Sequence, residues 1–297
     1  MVRRRTWALL AAFGATTIYA LNHTIAKDVM PTYVQGFGFV MIRLLGATFL
    51  FWLIGLFINT KTIEKKDFLR LLICAFFGMG INMLSFFKGL EYSTPINSAV
   101  IITTTPILVF IFSAFLLNEQ LIKPRIIGVL IGFLGALLLV VYNNQLHNNA
   151  PNIPLGNMLF VINAGSFALY LVFVRPLTQK YHPVQLLKWL FLMGLIVCSP
   201  ATWSEFNEVS WISMPFSALW RIAFVVIGTT FLTYLFNIYA LKTLKASTVS
   251  VFTYLQPVMG IIFAIIVGAD KLSFVGAFSC AAVLFGVYLV TKRYNTQ

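Results

Sequence analysis

Residues 90–106 read LEYSTPINSAVIITTTP, and residues 241–257 read LKTLKASTVSVFTYLQP. Both stretches begin at a leucine, continue through an apolar run and end at a proline, and they lie 151 positions apart. The same offset aligns further pairs with no net gap: Tyr19 with Tyr170, Ile111-Phe112 with Ile262-Phe263, Glu119 with Asp270, Leu121 with Leu272, and Gly135 with Gly286. The chain is therefore an internal duplication.

Each copy contains five apolar segments of about 18–24 residues, long enough to cross the hydrocarbon core as helices. The predicted spans are 7–26, 34–58, 68–88, 95–117, 124–142, 156–175, 183–203, 217–241, 246–267 and 272–291. Because five is odd, the second copy must cross the membrane in the opposite sense to the first. The sequence thus predicts an all-α polytopic membrane protein with ten transmembrane helices in two inverted five-helix repeats. The repeats occupy residues 1–143 and 156–297, with an extracytoplasmic linker at 144–155.

The overall composition excludes a soluble domain and does not favour a nucleic-acid partner. Hydrophobic residues make up 60% of the chain, charged residues only 10%, and the mean hydropathy is +0.90, whereas a soluble surface needs far more charge. The net charge is +13, but the basic residues are scattered at the ends of apolar runs rather than gathered on one face. Three cysteines inside apolar runs form neither a disulfide framework nor a metal-binding spacing.

The distribution of basic residues predicts the orientation in the membrane. If the N-terminus is cytoplasmic, sixteen Lys and Arg residues lie at or near the inner side and four at the outer side. Cytoplasmic loops carry such an excess of positive charge. We therefore expect both termini in the cytoplasm.

Prolines interrupt two equivalent spans, Pro106 in the fourth and Pro257 in the ninth. Proline removes one backbone hydrogen bond and bends or opens the helix. Polar residues precede both prolines, so the kinks could form part of a solute site or a gate. The alternative is a packing kink in which threonines bond back to their own helix.

Polar residues inside spans face the protein interior or a water-filled cavity. They form stripes on four helices: Thr16, Thr17, Tyr19, Asn22 and His23 on the first, Asn82 and Ser85 beside Phe86 on the third, Asn163, Ser166 and Tyr170 on the sixth, and Thr233, Tyr234 and Asn237 on the eighth. These stripes and the two kinked helices predict a cavity between helices 1, 3, 4, 6, 8 and 9. For any single residue, an interhelical hydrogen bond is the competing interpretation.

Charged residues are nearly absent from the middles of the spans. No Asp or Glu lies there, so coupling to an ion is either absent or uses His23, whose titration range suits proton exchange; a structural hydrogen bond is the competing role for His23. Arg43, well inside the second span, could hold a substrate carboxylate or bond to carbonyls of a neighbouring helix. We expect the structural role because no polar stripe accompanies it. Lys88, at an outer helix end, is the better candidate for meeting an anionic solute, with snorkelling to the headgroups as the alternative.

Other features are interpreted as structural. Glu119 and Asp270 end helices 4 and 9, where they can cap exposed amides. Gly128, Gly132 and Gly135 on helix 5 suit close helix packing. No metalloprotease motif, nucleotide-binding glycine loop or serine-histidine arrangement is present, so we expect no catalytic residues, no metal and no cofactor.

The stretch from Ala240 to Pro257, followed by Gly268-Ala269-Asp270 and Gly286, resembles the second EamA domain of the drug/metabolite transporter superfamily. The first copy is similar, with Leu90 to Pro106, Leu117-Asn118-Glu119 and Gly135. Asp270 stands where the family usually has Glu, and Asn118 replaces a common Gly. The resemblance covers nearly the whole chain. It implies a secondary transporter of small metabolites, often an exporter of amino acids, that works by alternating access.

Carried over by position, the resemblance implies a substrate cavity, beside which the kinks at Pro106 and Pro257 are candidate gates. We expect such a carrier in a bacterial inner membrane. The implied cavity residues are Tyr19, Asn22, His23, Asn82, Phe86, Thr103, Thr105, Ser166, Tyr170, Tyr234, Asn237, Tyr254 and Gln256. A neutral polar and aromatic lining fits a neutral or zwitterionic solute. The alternatives are a broad-specificity exporter of aromatic or lipophilic compounds and, in another class, a membrane-embedded enzyme or assembly factor. The expected partners are the solute, the lipid bilayer and, if His23 titrates, protons; no nucleic acid and no obligate protein partner is expected.

Overall fold

A computed structural model of the chain describes residues 2–58, 61–120, 122–142, 150–266 and 274–292. Its helices are α1 (Val2–Lys27), α2 (Gly36–Gly55), α3 (Lys65–Tyr92), α4 in two parts (Pro95–Ile102 and Thr105–Leu117), α5 (Lys123–Tyr142), α6 (Ile153–Lys180), α7 (Pro183–Asn207), α8 (Phe216–Leu241), α9 in three parts (Ala246–Val251, Phe252–Tyr254 and Leu255–Ile266) and α10 (Phe274–Thr291). Asp270 and residues 144–149 of the predicted linker lie outside the described residues.

The predicted all-α polytopic membrane fold is confirmed. Within the described ranges, eight helices are long and apolar enough to cross a membrane, namely α1, α2, α3, the stretch Asn97–Leu117 of α4, α6, α7, α8 and α10. The remaining two, α5 and α9, occupy the predicted spans 124–142 and 246–267. The inverted arrangement of the two repeats stays a prediction.

The same irregularities recur in both copies. In α3 the segment Phe76–Ile81 is π-helical, and in α8 so is Phe224–Leu232. Helix α4 is interrupted just before Pro106, and α9 passes through a 3₁₀ turn, Phe252–Tyr254, just before Pro257. Proline accounts for the interruptions in α4 and α9, because it has no N–H to donate to a carbonyl of the preceding turn. Isolated π-helical turns occur mostly at functional sites.

Packing joins the two copies throughout. Helix α1 lies against α8 and α9, and α6 lies in the corresponding way against α3 and α4. Helix α2 packs along α7, and α5 packs along α10. Each of these pairs takes one helix from each copy, so the two copies share one core.

Glycines bring α5 and α10 into backbone contact. A Cβ atom at Gly286 would lie 2.6 Å from the carbonyl oxygen of Gly128 and 2.6 Å from the backbone nitrogen of Gly132. A Cβ atom at Gly135 would lie 3.0 Å from the carbonyl oxygen of Ser279. Small residues allow this approach, which is a source of helix association in lipid. The packing role predicted for the α5 glycines agrees with this contact.

We predict that Gly286→Ala lowers the free energy of unfolding by about 1–3 kcal/mol, because backbone atoms must move to admit the methyl group. The matched control is Gly165→Ala in α6, where a Cβ atom would meet no atom within 4 Å. This control should leave stability unchanged or raise it by up to about 1 kcal/mol, since alanine is the better helix former. Thermal unfolding in detergent measures both variants. Equal melting temperatures for Gly286→Ala and the parent would contradict the packing described.

Candidate functional site

A central cavity of about 90 Å³ lies between the two copies. Its wall is built by α1, α2, α3, α4, α6, α8 and α9. Most of the wall residues lie inside their helices rather than at the helix ends, so in a membrane the cavity lies within the hydrocarbon layer. Carriers made of two repeats hold their substrates at this depth.

The structure brings together many of the predicted site residues. Those in the cavity wall are Tyr19, Asn22, Asn82, Phe86, Thr105, Tyr234, Asn237 and Gln256. The side chain of His23 lies outside the described part of the structure. Thr103, Ser166, Tyr170 and Tyr254 are described but do not line the cavity.

Those four residues make contacts within the helix bundle instead. The hydroxyl of Thr103 donates to the carbonyl of Val100 at 2.6 Å, and that of Ser166 donates to the carbonyl of Asn163 at 3.0 Å. Both thus bond back to their own helix, which is the alternative weighed for the polar residues.

The rings of Tyr170 and Tyr254 fill the space beside two glycines. Tyr170 is 1% exposed and lies over Gly78, and Tyr254 is fully buried over Gly132. The offset that pairs Tyr170 with Tyr19 therefore fails as a guide to the cavity, because the two copies pack differently here.

Ten residues of the cavity wall are not among the predicted site residues: Thr16, Arg43, Met83, Ile102, Asn163, Phe167, Leu171, Val249, Ser250 and Thr253. The offset of 151 could have found several of them. Five pairs at this offset lie in the wall: Thr16 and Phe167, Met83 and Tyr234, Phe86 and Asn237, Ile102 and Thr253, and Thr105 and Gln256. Equivalent positions of the two copies thus face the same space.

One of these pairs, Ile102 and Thr253, lies one helical turn before the two prolines. In an unbroken helix the N–H of residue 106 would bond to the carbonyl of Ile102, and that of residue 257 to the carbonyl of Thr253. Proline has no N–H, so both carbonyls lose this partner. Ile102 and Thr253 both line the cavity. The residues whose carbonyls lose a partner to the two prolines thus both lie in the cavity wall.

Hydrogen bonds between the copies fix the wall. The side-chain amide of Asn163 donates to the carbonyl of Asn82 at 2.8 Å, and that of Asn82 donates to the carbonyl of Asn163 at 3.3 Å. The hydroxyl of Tyr234 donates to the carbonyl of Gly78 in the π-helical segment of α3 at 3.0 Å. These contacts hold α3 against α6 and α8.

Arg43 reaches the cavity from α2 and is 5% exposed. Its Nε donates to the hydroxyl of Thr230 at 2.6 Å, and its Nη2 donates to the carbonyl of Thr229 at 3.4 Å. Both acceptors lie in the π-helical segment of α8. The expected bonding to a neighbouring helix is therefore present, but the guanidinium is also part of the cavity wall.

Ionic contacts join the copies away from the cavity, on both sides of it. Lys88 is 3.0 Å from Glu91 and 3.3 Å from Glu205, which also accepts the backbone N–H of Phe37 at 2.6 Å. Lys88 is therefore engaged at the end of α3 and does not line the cavity. Beside the start of α3, Lys180 is 3.0 Å from Glu64, where hydrogen bonds from lysines hold the pKa of the carboxyl below its usual value.

The described partners of the Glu119 carboxylate lie on α6 and α9. The carboxylate accepts a hydrogen bond from the hydroxyl of Ser247 at 2.6 Å and lies 3.7 Å from Arg175. Asn118, just before it, has a φ of 51°, a left-handed conformation that asparagine tolerates better than most residues. Glu119 thus ties the end of α4 to α6 and α9.

We predict that Tyr234→Phe lowers the free energy of unfolding by about 1–2 kcal/mol, because it removes the hydroxyl that satisfies the Gly78 carbonyl. The matched control is Tyr254→Phe, since that buried hydroxyl has no hydrogen-bond partner within the described ranges. Removing it should leave stability unchanged or higher. Thermal unfolding in detergent compares the two, and a larger loss for Tyr254→Phe than for Tyr234→Phe would contradict the bond to Gly78.

Both the sequence and the fold of this chain match known proteins. The sequence model of the EamA-like transporter family matches residues 6–141 and again residues 154–292. A solved crystal structure superposes with a TM-score of 0.76 over 97% of this chain and 98% of the other, at 18% identity. At that identity the likeness shows the fold alone.

Relatives of similar length are named as transporters. An uncharacterized transporter of Archaeoglobus fulgidus is 26% identical, covering 96% of this chain and 97% of the relative. Uncharacterized transporter YetK of Bacillus subtilis is 22% identical, covering 99% and 89%. An S-adenosylmethionine uptake transporter of Rickettsia conorii is 24% identical, covering 98% and 94%.

Both halves of the chain match one family model, and the two matches cover nearly all of it. The resemblance found in the sequence is thereby confirmed: the chain belongs to the EamA-like transporter family and is a multi-pass membrane transporter.

Proposed function

We propose that this protein is a secondary transporter that carries amino acids or related neutral or zwitterionic solutes through the central cavity by alternating access. The observation that carries the proposal is the cavity itself, whose wall takes five equivalent pairs of positions from the two copies. In the proposed mechanism the copies are inverted repeats that open the cavity alternately to each side of a bacterial inner membrane, with both termini cytoplasmic.

The chemistry of the wall supports a polar solute. Amide and hydroxyl side chains alternate with aromatic rings, and none of the described lining residues is Asp, Glu or His. Amides offer both donors and acceptors, and the rings offer flat apolar surface. This lining favours a neutral or zwitterionic metabolite over a dication. It gives no support to a membrane-embedded enzyme, since no acid-base pair converges on the described wall.

The size of the cavity supports a small solute. A water molecule needs about 10–15 Å³ of such volume, so about 90 Å³ has room for roughly six to nine waters. This is the scale of a small metabolite rather than of a large lipophilic compound.

Direction and coupling are part of the proposal. The sequence resemblance implies export, whereas the relative from Rickettsia conorii is named for uptake, and S-adenosylmethionine itself has an amino-acid end. The described cavity wall contains no carboxylate to bind a coupling cation. Coupling, if present, is proposed to use protons and His23.

We predict that the purified protein in proteoliposomes moves at least one member of an amino-acid panel, measured in both directions with and without a pH gradient. Tyr19→Ala should lower the rate of that solute at least about tenfold, the equivalent of about 1.4 kcal/mol, because Tyr19 lines the cavity and hydrogen-bonds with Thr233.

The matched control is Tyr239→Ala on α8, since Tyr239 is exposed on the outer surface of the bundle. This variant should transport like the parent. If no amino acid moves in either direction, or if Tyr239→Ala lowers the rate as much as Tyr19→Ala does, the proposed function is wrong.

A further inference from the structure

The guanidinium of Arg43 is a buried charge without an ionic partner in the described part of the chain. Arg43 takes part in none of the ion pairs there. The described carboxylates that pair with arginines do so elsewhere, Glu119 with Arg175 and Asp28 with Arg221. A buried cation is stable only with hydrogen bonds and a compensating charge. Arg43 has the hydrogen bonds, but no described carboxylate supplies the compensating negative charge.

Neutral groups hold Arg43 in one orientation. Thr230 and Thr229 accept hydrogen bonds from its Nε and Nη2, and the ring of Phe87 lies 4.7 Å from the guanidinium carbon. These contacts fix the planar group without neutralising it. A fixed guanidinium in a cavity wall is suited to a carboxylate, which it can bind through two parallel hydrogen bonds.

A second buried polar group in the same wall is a hydrogen-bond acceptor, which needs a donor from the ligand. The side-chain oxygen of Asn22 has no hydrogen-bond partner among the described residues, and Asn22 is 4% exposed. Buried acceptors are rarely left unpaired. Because Asn22 lines the cavity together with Arg43, a donor on the solute can satisfy it. An ammonium group supplies such a donor.

The two copies differ at the position of Arg43. The residue 151 positions later is Gly194 in α7, where a Cβ atom would lie 2.7 Å from the Cβ of Met79. No side chain of any size fits there, so the second copy offers no matching cation. The positive charge of the described wall therefore lies on one side of the cavity, which favours one orientation of a polar solute.

We propose that Arg43 binds the carboxylate of the solute and that Asn22 accepts a hydrogen bond from its ammonium group. The inference rests on the proposed transport through this cavity and narrows the solute to one that carries a carboxylate, with α-amino acids as the best match. It assigns to Arg43 a recognition role in addition to its bonds to α8. A solute with positive charge and no carboxylate is repelled by the unneutralised guanidinium.

The test uses the parent protein and the amino acid that moves fastest in the panel. Competition for its transport is measured with the same amino acid, with its primary amide, which lacks the carboxylate, and with the acid that lacks the amino group. We expect the amide to compete at least about 30-fold more weakly than the amino acid, the fold-change typical of losing a buried hydrogen-bonded charge pair. Arg43→Gln should abolish this preference and Arg43→Lys should keep part of it.

Two further variants separate the roles. Asn22→Leu should weaken competition by the amino acid but not by the acid that lacks the amino group. Arg221→Gln removes an arginine that is paired with Asp28 and does not line the cavity, and it should behave as the parent.

The outcomes distinguish the two proposals. If the parent transports the amino acid and its amide competes equally well, the inference about Arg43 is overturned while the proposed function stands. If no amino acid moves, the proposed function fails and the inference falls with it. If Arg43→Gln does not fold, as judged by size-exclusion chromatography, the comparison of amide and amino acid on the parent decides alone.

Discussion

Inside a bilayer every backbone N–H and C=O group must find a partner within the protein, and this constraint decides where helices can be irregular. Four helices of this chain are interrupted, α3 and α8 by π-helical segments and α4 and α9 just before a proline. All four contribute to the wall of the central cavity, whereas the regular α5 and α10 contribute no described residue to it. The irregular helices thus all border the cavity, together with the regular α1, α2 and α6.

The remaining helices hold this arrangement in place by two different means. Along α5 and α10, glycines let the backbones touch, so dispersion over a close contact stabilises the pair. At the ends of the bundle, carboxylates and basic side chains join the copies, as Glu119 does with Ser247 and Arg175. The charged contacts thus lie toward the ends of the helices, and the cavity is left with neutral polar groups and a single described cation, Arg43.

Much of the fold could be predicted from the sequence because lipid imposes strong rules. Span length, the scarcity of charge and the two prolines located the helices to within a few residues. The π-helical segments could not be predicted, since Phe76–Ile81 has no proline or polar signal and its geometry depends on packing against neighbouring helices. Boundaries also shifted outward, as in α6, because charged residues such as Lys180 continue a helix beyond its apolar part.

The candidate site was less predictable because it depends on contacts between distant segments. The duplication pointed to equivalent positions such as Thr105 and Gln256, which line the cavity, and also to Tyr170, which packs over Gly78. Arg43 lacked polar neighbours in its own helix, and its partners Thr229 and Thr230 come from a helix far along the chain. Local sequence cannot reveal such a pairing.

The most direct test of alternating access uses single cysteines at Phe86 and Asn237, two cavity positions related by the offset, in a chain whose Cys74, Cys198 and Cys280 are replaced by alanine. A membrane-impermeant thiol reagent is applied from each side in turn, with and without the transported amino acid. If the cavity opens alternately to the two sides, each cysteine reacts from both sides and the amino acid slows both reactions. Reaction from one side only, unaffected by the amino acid, would contradict alternating access.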